Sequence, residues 1–202
     1  MLNINNNKTS GISLSAGKHT RRGFTLLELL IVIAILAVLS TVVILVLNPG
    51  EYLAQARDSQ RISDLSTLNS AIALDLTSSA SIGTCVGYAV CTGGTTADKA
   101  NGDTDLCGAI SSSTLVGGTG WVPINFSALP GGSPIAREPI DPSNNSSYHY
   151  AYRCNAAANT YELDAILESA KYKAGSTAND LGAKDGGNSP NYEIGTDLTL
   201  IN

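Results

Sequence analysis

Glu28 is the residue that most needs a chemical explanation. It stands at the head of an apolar run, Leu29 to Leu47, that carries no charge and only Ser40 and Thr41 as polar side chains. An acid at the centre of a membrane helix costs about 2.5–3.5 kcal/mol on insertion scales, so it must reach the headgroups or find a cation. Gly23 precedes the run and is the place where a processing cut would leave the apolar segment intact. A cut there frees an α-amine on Phe24, one helical turn from Glu28. That amine on one chain and Glu28 on the next would form a compensated pair. Snorkelling of Glu28 to the membrane surface is the plainer alternative.

Other groups with chemical capacity lie far downstream. Asp180, Asp185 and Asn188, with Asn179 and Glu193 beside them, are oxygen ligands set among Gly182, Gly186 and Gly187, the donor type and flexible turn that suit calcium. Their spacing departs from the EF-hand pattern, and Asx with Gly also builds any solvated turn. Cys85, Cys91, Cys107 and Cys154 all follow the apolar run, where an oxidising compartment favours disulfides. Four cysteines allow three pairings, and sequence does not choose among them; the expected pattern is a local Cys85–Cys91 loop and a longer Cys107–Cys154 staple. Paired CxxC spacing is absent and His149 is the only histidine after residue 23, which argues against zinc and against a nucleophile–base pair. His149 reads as a strand residue. Without a P-loop, HExxH or GxSxG pattern, no enzymatic activity is expected and no cofactor is required.

The elements that position these residues begin with a helix. The uncharged run of about 19 residues is close to the roughly 20 needed to span a bilayer core. With no Gly or Pro from Phe24 to Asn48, a continuous helix satisfies its own backbone in hydrocarbon. Arg21 and Arg22, with Lys8 and Lys18 behind them, set the N-terminus on the cytoplasmic side and export the rest. No small-residue cleavage site follows Leu47, so the helix is retained in the mature protein. Pro49 and Gly50 should bend or open it. Helical spacing then resumes from Glu51, with Ile62, Leu65, Leu68, Ile72 and Leu76 as the packing stripe and Arg57, Asp58, Gln60, Arg61 and Asp64 on other faces. Joined, residues 24–76 would make a spine of roughly 80 Å.

A basic pair, then GFTLLE, then an apolar helix strongly resembles the class III signal of type IV pilins and type II secretion pseudopilins. The resemblance implies a prepilin peptidase that cuts after Gly23 and methylates Phe24 to N-methylphenylalanine. It also makes Glu28 the family's assembly glutamate, paired with the Phe24 amine of a neighbour. It covers about 30 residues and is looser elsewhere, although WVP, SPI and PIDPSN are similar to the stretch ahead of the sheet in major pseudopilins. Those proteins similarly bind calcium in a C-terminal loop, a parallel to the candidate ligands Asp180, Asp185 and Asn188.

The organisation expected is a polar leader over 1–23, a transmembrane and filament-core helix over 24–47, an amphipathic half over 48–76 and an exported head over 77–202. The leader carries four of the twelve basic residues and no acid, leaving eight basic against seventeen acidic side chains beyond it, a balance of −9 that argues against direct nucleic-acid binding. Residues 77–120, rich in Ser, Thr and Gly, read as an irregular surface loop. Pro123, Pro130, Pro134, Pro139 and Pro142 forbid a helix in the next stretch. Tyr148, Tyr150 and Tyr152 alternate, as do Tyr161, Leu163, Ala165 and Leu167, with a turn over Asn155 to Asn159, and Tyr192 to Leu200 would add a third strand. The fold class is therefore α+β, a long N-terminal helix on a small antiparallel sheet, as in type IV pilins.

The function implied is a structural subunit of a type IV pilus, with other copies of itself, a platform membrane protein and a cytoplasmic assembly ATPase as partners. A major pseudopilin of a secretion or DNA-uptake system is the alternative, and a single-copy anchored binding protein the second. The precursor belongs in the cytoplasmic membrane and the mature form in an extracellular pilus or an envelope pseudopilus.

Overall fold

The computed structural model describes residues 23–79, 81–83, 85–94, 107–173, 175, 180–182, 185–186 and 191–201. The leader before Gly23 and Asn188 lie outside them. The chain divides into two compact units that part between Leu47 and Asn48.

The first unit contains α1, Leu26–Leu47. Leu26–Ile44 is long and apolar enough to cross a membrane, with a mean hydropathy of 2.9, and none of it is buried within the chain. Large apolar side chains are exposed on every side. Ser40 and Thr41 turn their hydroxyls onto the carbonyls of Leu36 and Ala37, at 2.7 and 3.0 Å, so neither leaves an unpaired donor in the apolar run.

Asn48 breaks the helical path with φ at 41°, a left-handed conformation that Asn tolerates better than most side chains. Pro49, which cannot donate a backbone hydrogen bond, then opens α2, Pro49–Ser79, at the first helical position, where that donor is not needed. The spine expected over 24–76 is thus two helices, and the second runs on to Ser79.

The second unit carries a five-stranded sheet in the order β2-β1-β3-β4-β5, built from β1 Ala89–Cys91, β2 Cys107–Ile110, β3 Tyr150–Asn155, β4 Thr160–Ala165 and β5 Tyr192–Gly195. The β3–β4 hairpin and the added β5 follow the alternating Tyr and Leu pattern, and all three pair antiparallel. The sheet is nevertheless mixed: β1 and β2 run parallel. These two strands come from the stretch read as an irregular loop, because segments of three and four residues are too short to show a period.

One face of the sheet packs on α2. Tyr150, Tyr152, Tyr161, Leu163 and Ala165 meet Leu65, Leu68, Ala71 and Ile72, with Trp121, Val122 and Phe126 from the proline-rich stretch closing the core. That stretch holds one short 3-10 turn, Phe126–Ala128, as its prolines require. Two strand tyrosines reach α2 through their hydroxyls: Tyr150 donates to Asp64 at 2.9 Å and Tyr161 to Asn69 Oδ1 at 2.7 Å. The other face carries Ala89, Cys91, Cys107, Ala151 and Ile201.

The cysteine pairing expected from sequence is overturned. Cys85 bonds Cys154 and Cys91 bonds Cys107. The first ties the segment after α2 to β3 on the α2 side, and the second crosslinks the two parallel strands on the opposite side. Spacing carries no information on this, because only the fold makes β1 and β2 neighbours.

Candidate functional site

The N-terminal signal is built from its first turn. Gly23 has open space around it and Phe24 is exposed. Thr25 and Glu28 cap α1 reciprocally. Glu28 N–H donates to Thr25 Oγ1 at 3.1 Å, while Glu28 Oε2 accepts from Thr25 N–H at 3.0 Å and from its hydroxyl at 2.9 Å. This is a capping box, in which a threonine before the helix and an acid three residues on satisfy each other's donors. The pattern T-x-x-E is legible in TLLE, so the sequence carries a signal for Thr25 as well as for the acid. Within the chain, then, Glu28 is bonded to the first turn of its own helix. It is folded back toward the end of the helix where a cut after Gly23 would leave an amine.

The head is fastened by a second, wholly charged constellation. Arg61 is fully buried; its Nε donates to Asp141 Oδ2 at 2.6 Å, Nη1 to Asp58 Oδ1 at 2.9 Å, and Nη2 to Asp141 Oδ1 at 3.0 Å and to Glu168. Arg57 also pairs with Glu168. The Tyr148 ring covers the Arg61 guanidinium at 5.0 Å. Each acid has further donors. Asp58 accepts from the backbone N–H of Glu168 and Ser169, at 2.9 and 2.8 Å, and Asp141 from those of Ser143 and Asn144, at 2.7 and 3.1 Å. Burial alone would raise the Glu168 carboxyl, but hydrogen bonds from Arg57 and Arg61 hold it below its usual range. Desolvation works against the Arg61 charge, yet Asp141 and Glu168 hold it more basic than usual.

Asp58 and Arg61 therefore lie on the packed stripe of α2, with Ala54, Leu65 and Leu68, and not on the other faces to which the sequence reading assigned them. Periodicity read from apolar residues alone passes over a buried ion network. The PIDPSN segment is the turn expected ahead of β3, and Asp141 is both its Asx cap and the anchor to Arg61.

A third polar group is enclosed nearby. Glu138 is fully buried and accepts from Val122 N–H at 3.0 Å. Burial raises its carboxyl from 4.5 to about 7. Gly120 makes room for it, since a Cβ there would lie 2.2 Å from either carboxylate oxygen.

Asp180 and Asp185, two of the three expected calcium ligands, are among the described residues. Asp180 Oδ2 accepts from Gly175 N–H at 2.6 Å and Asp185 Oδ2 from Glu193 N–H at 2.9 Å. The third expected calcium ligand, Asn188, is among the residues not described. His149, read as an unremarkable strand residue, is fully buried against Cys107.

Residues 18–44 match the family model described as the prokaryotic N-terminal methylation motif, which contains Gly23, Phe24, Thr25 and Glu28. No curated protein and no solved structure matches the chain. A methylation signal on an apolar helix, followed by a helix laid on a small sheet, supports a class III signal prepilin of the type IV pilin-like kind.

Proposed function

We propose that the protein is the structural subunit of a type IV pilus. It is cut after Gly23, methylated on Phe24 and polymerised through α1 into a surface filament, with the head exported and the leader cytoplasmic. The observation that carries this reading is the capped Glu28 at the start of a helix whose apolar side chains are left unburied by the described residues.

Lipid covers such a helix in the precursor, and copies of the same helix cover it in a filament. In either setting the acid requires compensation. The capping box supplies part of it. The Phe24 amine of a neighbouring subunit supplies the opposite charge, and only a neighbour in correct register can do so. A platform membrane protein and a cytoplasmic ATPase provide the work of extraction from the bilayer, since no nucleotide-binding motif is present in this sequence.

A major pseudopilin is the second reading, favoured by the ordered PIDPSN turn ahead of the sheet. Intact mass of the protein sheared from expressing cells, compared with the membrane fraction, decides between them. A methylated chain beginning at Phe24 in the sheared material supports the pilus. The same species confined to membranes supports the pseudopilin, and an uncut chain throughout refutes both. Glu28→Ala should leave membrane insertion intact and abolish assembly; normal filament yield would refute the pairing.

A further inference from the structure

The face of the sheet turned away from α2 holds the Cys91–Cys107 bond, and His149 closes on it. His149 Nε2 lies 3.8 Å from Cys107 Sγ. Its Nδ1 is 3.0 Å from the Asn145 carbonyl oxygen, which can only accept. A ring proton therefore sits on Nδ1, and Nε2 faces the sulfur. Tyr150 N–H donates to Thr92 Oγ1 at 3.0 Å and Thr92 N–H to Tyr150 O at 2.9 Å. These bonds hold the residue after His149 against the residue after Cys91. The two sulfurs and the imidazole nitrogen all lie within 4.8 Å of one another, and all three residues are buried.

We propose that reduction of the Cys91–Cys107 bond converts this corner into a binding site for one thiophilic divalent ion of the zinc type. The ligands are Cys91 Sγ, Cys107 Sγ and His149 Nε2. Tetrahedral zinc, with bonds of about 2.3 Å to sulfur and 2.0 Å to nitrogen, sets a sulfur and a nitrogen ligand about 3.6 Å apart and two sulfurs about 3.8 Å apart. The nitrogen-to-sulfur separation is already near this value. Once unbonded, the two sulfurs need to part by about 2 Å, within the reach of cysteine rotamers.

Charge and supporting contacts agree with this donor set. Two thiolates neutralise a divalent ion, so the buried site carries no net charge. The hydrogen bond from Nδ1 to a backbone carbonyl is the support that metal-bound imidazoles ordinarily have, and it fixes both tautomer and ring orientation. Soft sulfur donors exclude calcium and magnesium. Among the described residues three ligands are supplied, one short of the four of tetrahedral zinc.

The chemistry balances through the thiols. A dithiol reductant delivers two electrons and two protons to the Cys91–Cys107 bond, which breaks into two thiols as the reductant closes its own disulfide. Metal binding then releases both thiol protons. Oxidation by a disulfide donor re-forms the Cys91–Cys107 bond and expels the ion. The corner thus holds either a crosslink or a metal, never both.

Cobalt titration of the full chain in detergent micelles tests this, with Cys85→Ser and Cys154→Ser introduced so that only this pair supplies thiols. After anaerobic reduction with a phosphine, one cobalt ion per chain should bind with thiolate charge-transfer absorption, and the oxidised chain should show none. Cys91→Ser should abolish the absorption, and His149→Phe should weaken binding at least tenfold. Absence of charge transfer in the reduced chain, or unchanged affinity in His149→Phe, overturns the proposal. Should reduction loosen the head, zinc must restore the near-ultraviolet circular dichroism of buried Trp121 in the parent and fail to do so in His149→Phe; no restoration in the parent also overturns it.

Discussion

Arg61→Met removes the one cation that touches all three acids of the buried network while keeping most of the side-chain volume. With Arg57, the network holds two positive and three negative charges; the variant leaves one positive charge against the same three. Removing one member of a buried ion pair costs about 3–5 kcal/mol. Backbone donors remain on Asp58 and Asp141, and Arg57 remains on Glu168, so the low end, about 3 kcal/mol, is expected. For a head of this size that lowers Tm by about 6–12 °C. The assay is thermal unfolding of the full chain in micelles, followed by the fluorescence of fully buried Trp121.

The pH dependence separates a charge effect from a packing effect. In the parent, the depressed Glu168 carboxyl contributes stability that is present above its unfolded value near 4.5 and is lost as pH falls through its lower folded value. In Arg61→Met, Glu168 loses one of the two cations that oppose its burial, so its carboxyl rises and protonation relieves more of the cost. The deficit should therefore be largest near neutral pH and shrink toward about pH 4. A variant melting within about 2 °C of the parent at neutral pH, below the shift that 1 kcal/mol produces, refutes the reasoning. So does a deficit that is constant with pH.

Other expectations follow from single groups. Thr25→Ala removes the cap of α1, worth about 1 kcal/mol; amide exchange in the first turn should rise about fivefold in micelles, with recovery in Thr25→Ser and no change counting against the capping box. Glu138 has a raised carboxyl, so its contribution is fully present below 4.5 and is lost as pH rises to about 7. Melting across that window should slope downward in the parent by up to about 3 kcal/mol and flatten in Glu138→Gln. Replacing both members of Cys85–Cys154, separated by 69 residues, should cost about 4 kcal/mol in urea unfolding, against about 3 for Cys91–Cys107, separated by 16. The reverse order would show that loop closure in the unfolded chain is not what these bonds provide.

What the sequence disclosed depended on how far apart the cooperating residues lie. The apolar run, the break near Pro49 and the Tyr and Leu alternation of β3 and β4 are local patterns, and each maps onto an observed element. The three-residue β1 and the register that brings it beside β2 are decided by tertiary pairing and leave no such trace. Arg61 and Asp141 stand 80 residues apart, so each reads as a surface charge until the fold joins them. Thr25 is different: TLLE states its cap in four letters. His149 gives no signal at all, because Cys107 beside it lies on a strand that sequence does not pair.

The covalent wiring of the head has one more consequence. Cys85 and Cys154 close a ring of backbone that contains Cys91 and Cys107 within it. A protease that cuts once anywhere between Cys85 and Cys154 opens the ring without severing the molecule. On a denaturing gel such a nicked chain would run as a single piece and separate into two only after reduction. For a head displayed outside the cell, a cleaved subunit would thus stay attached to its anchor.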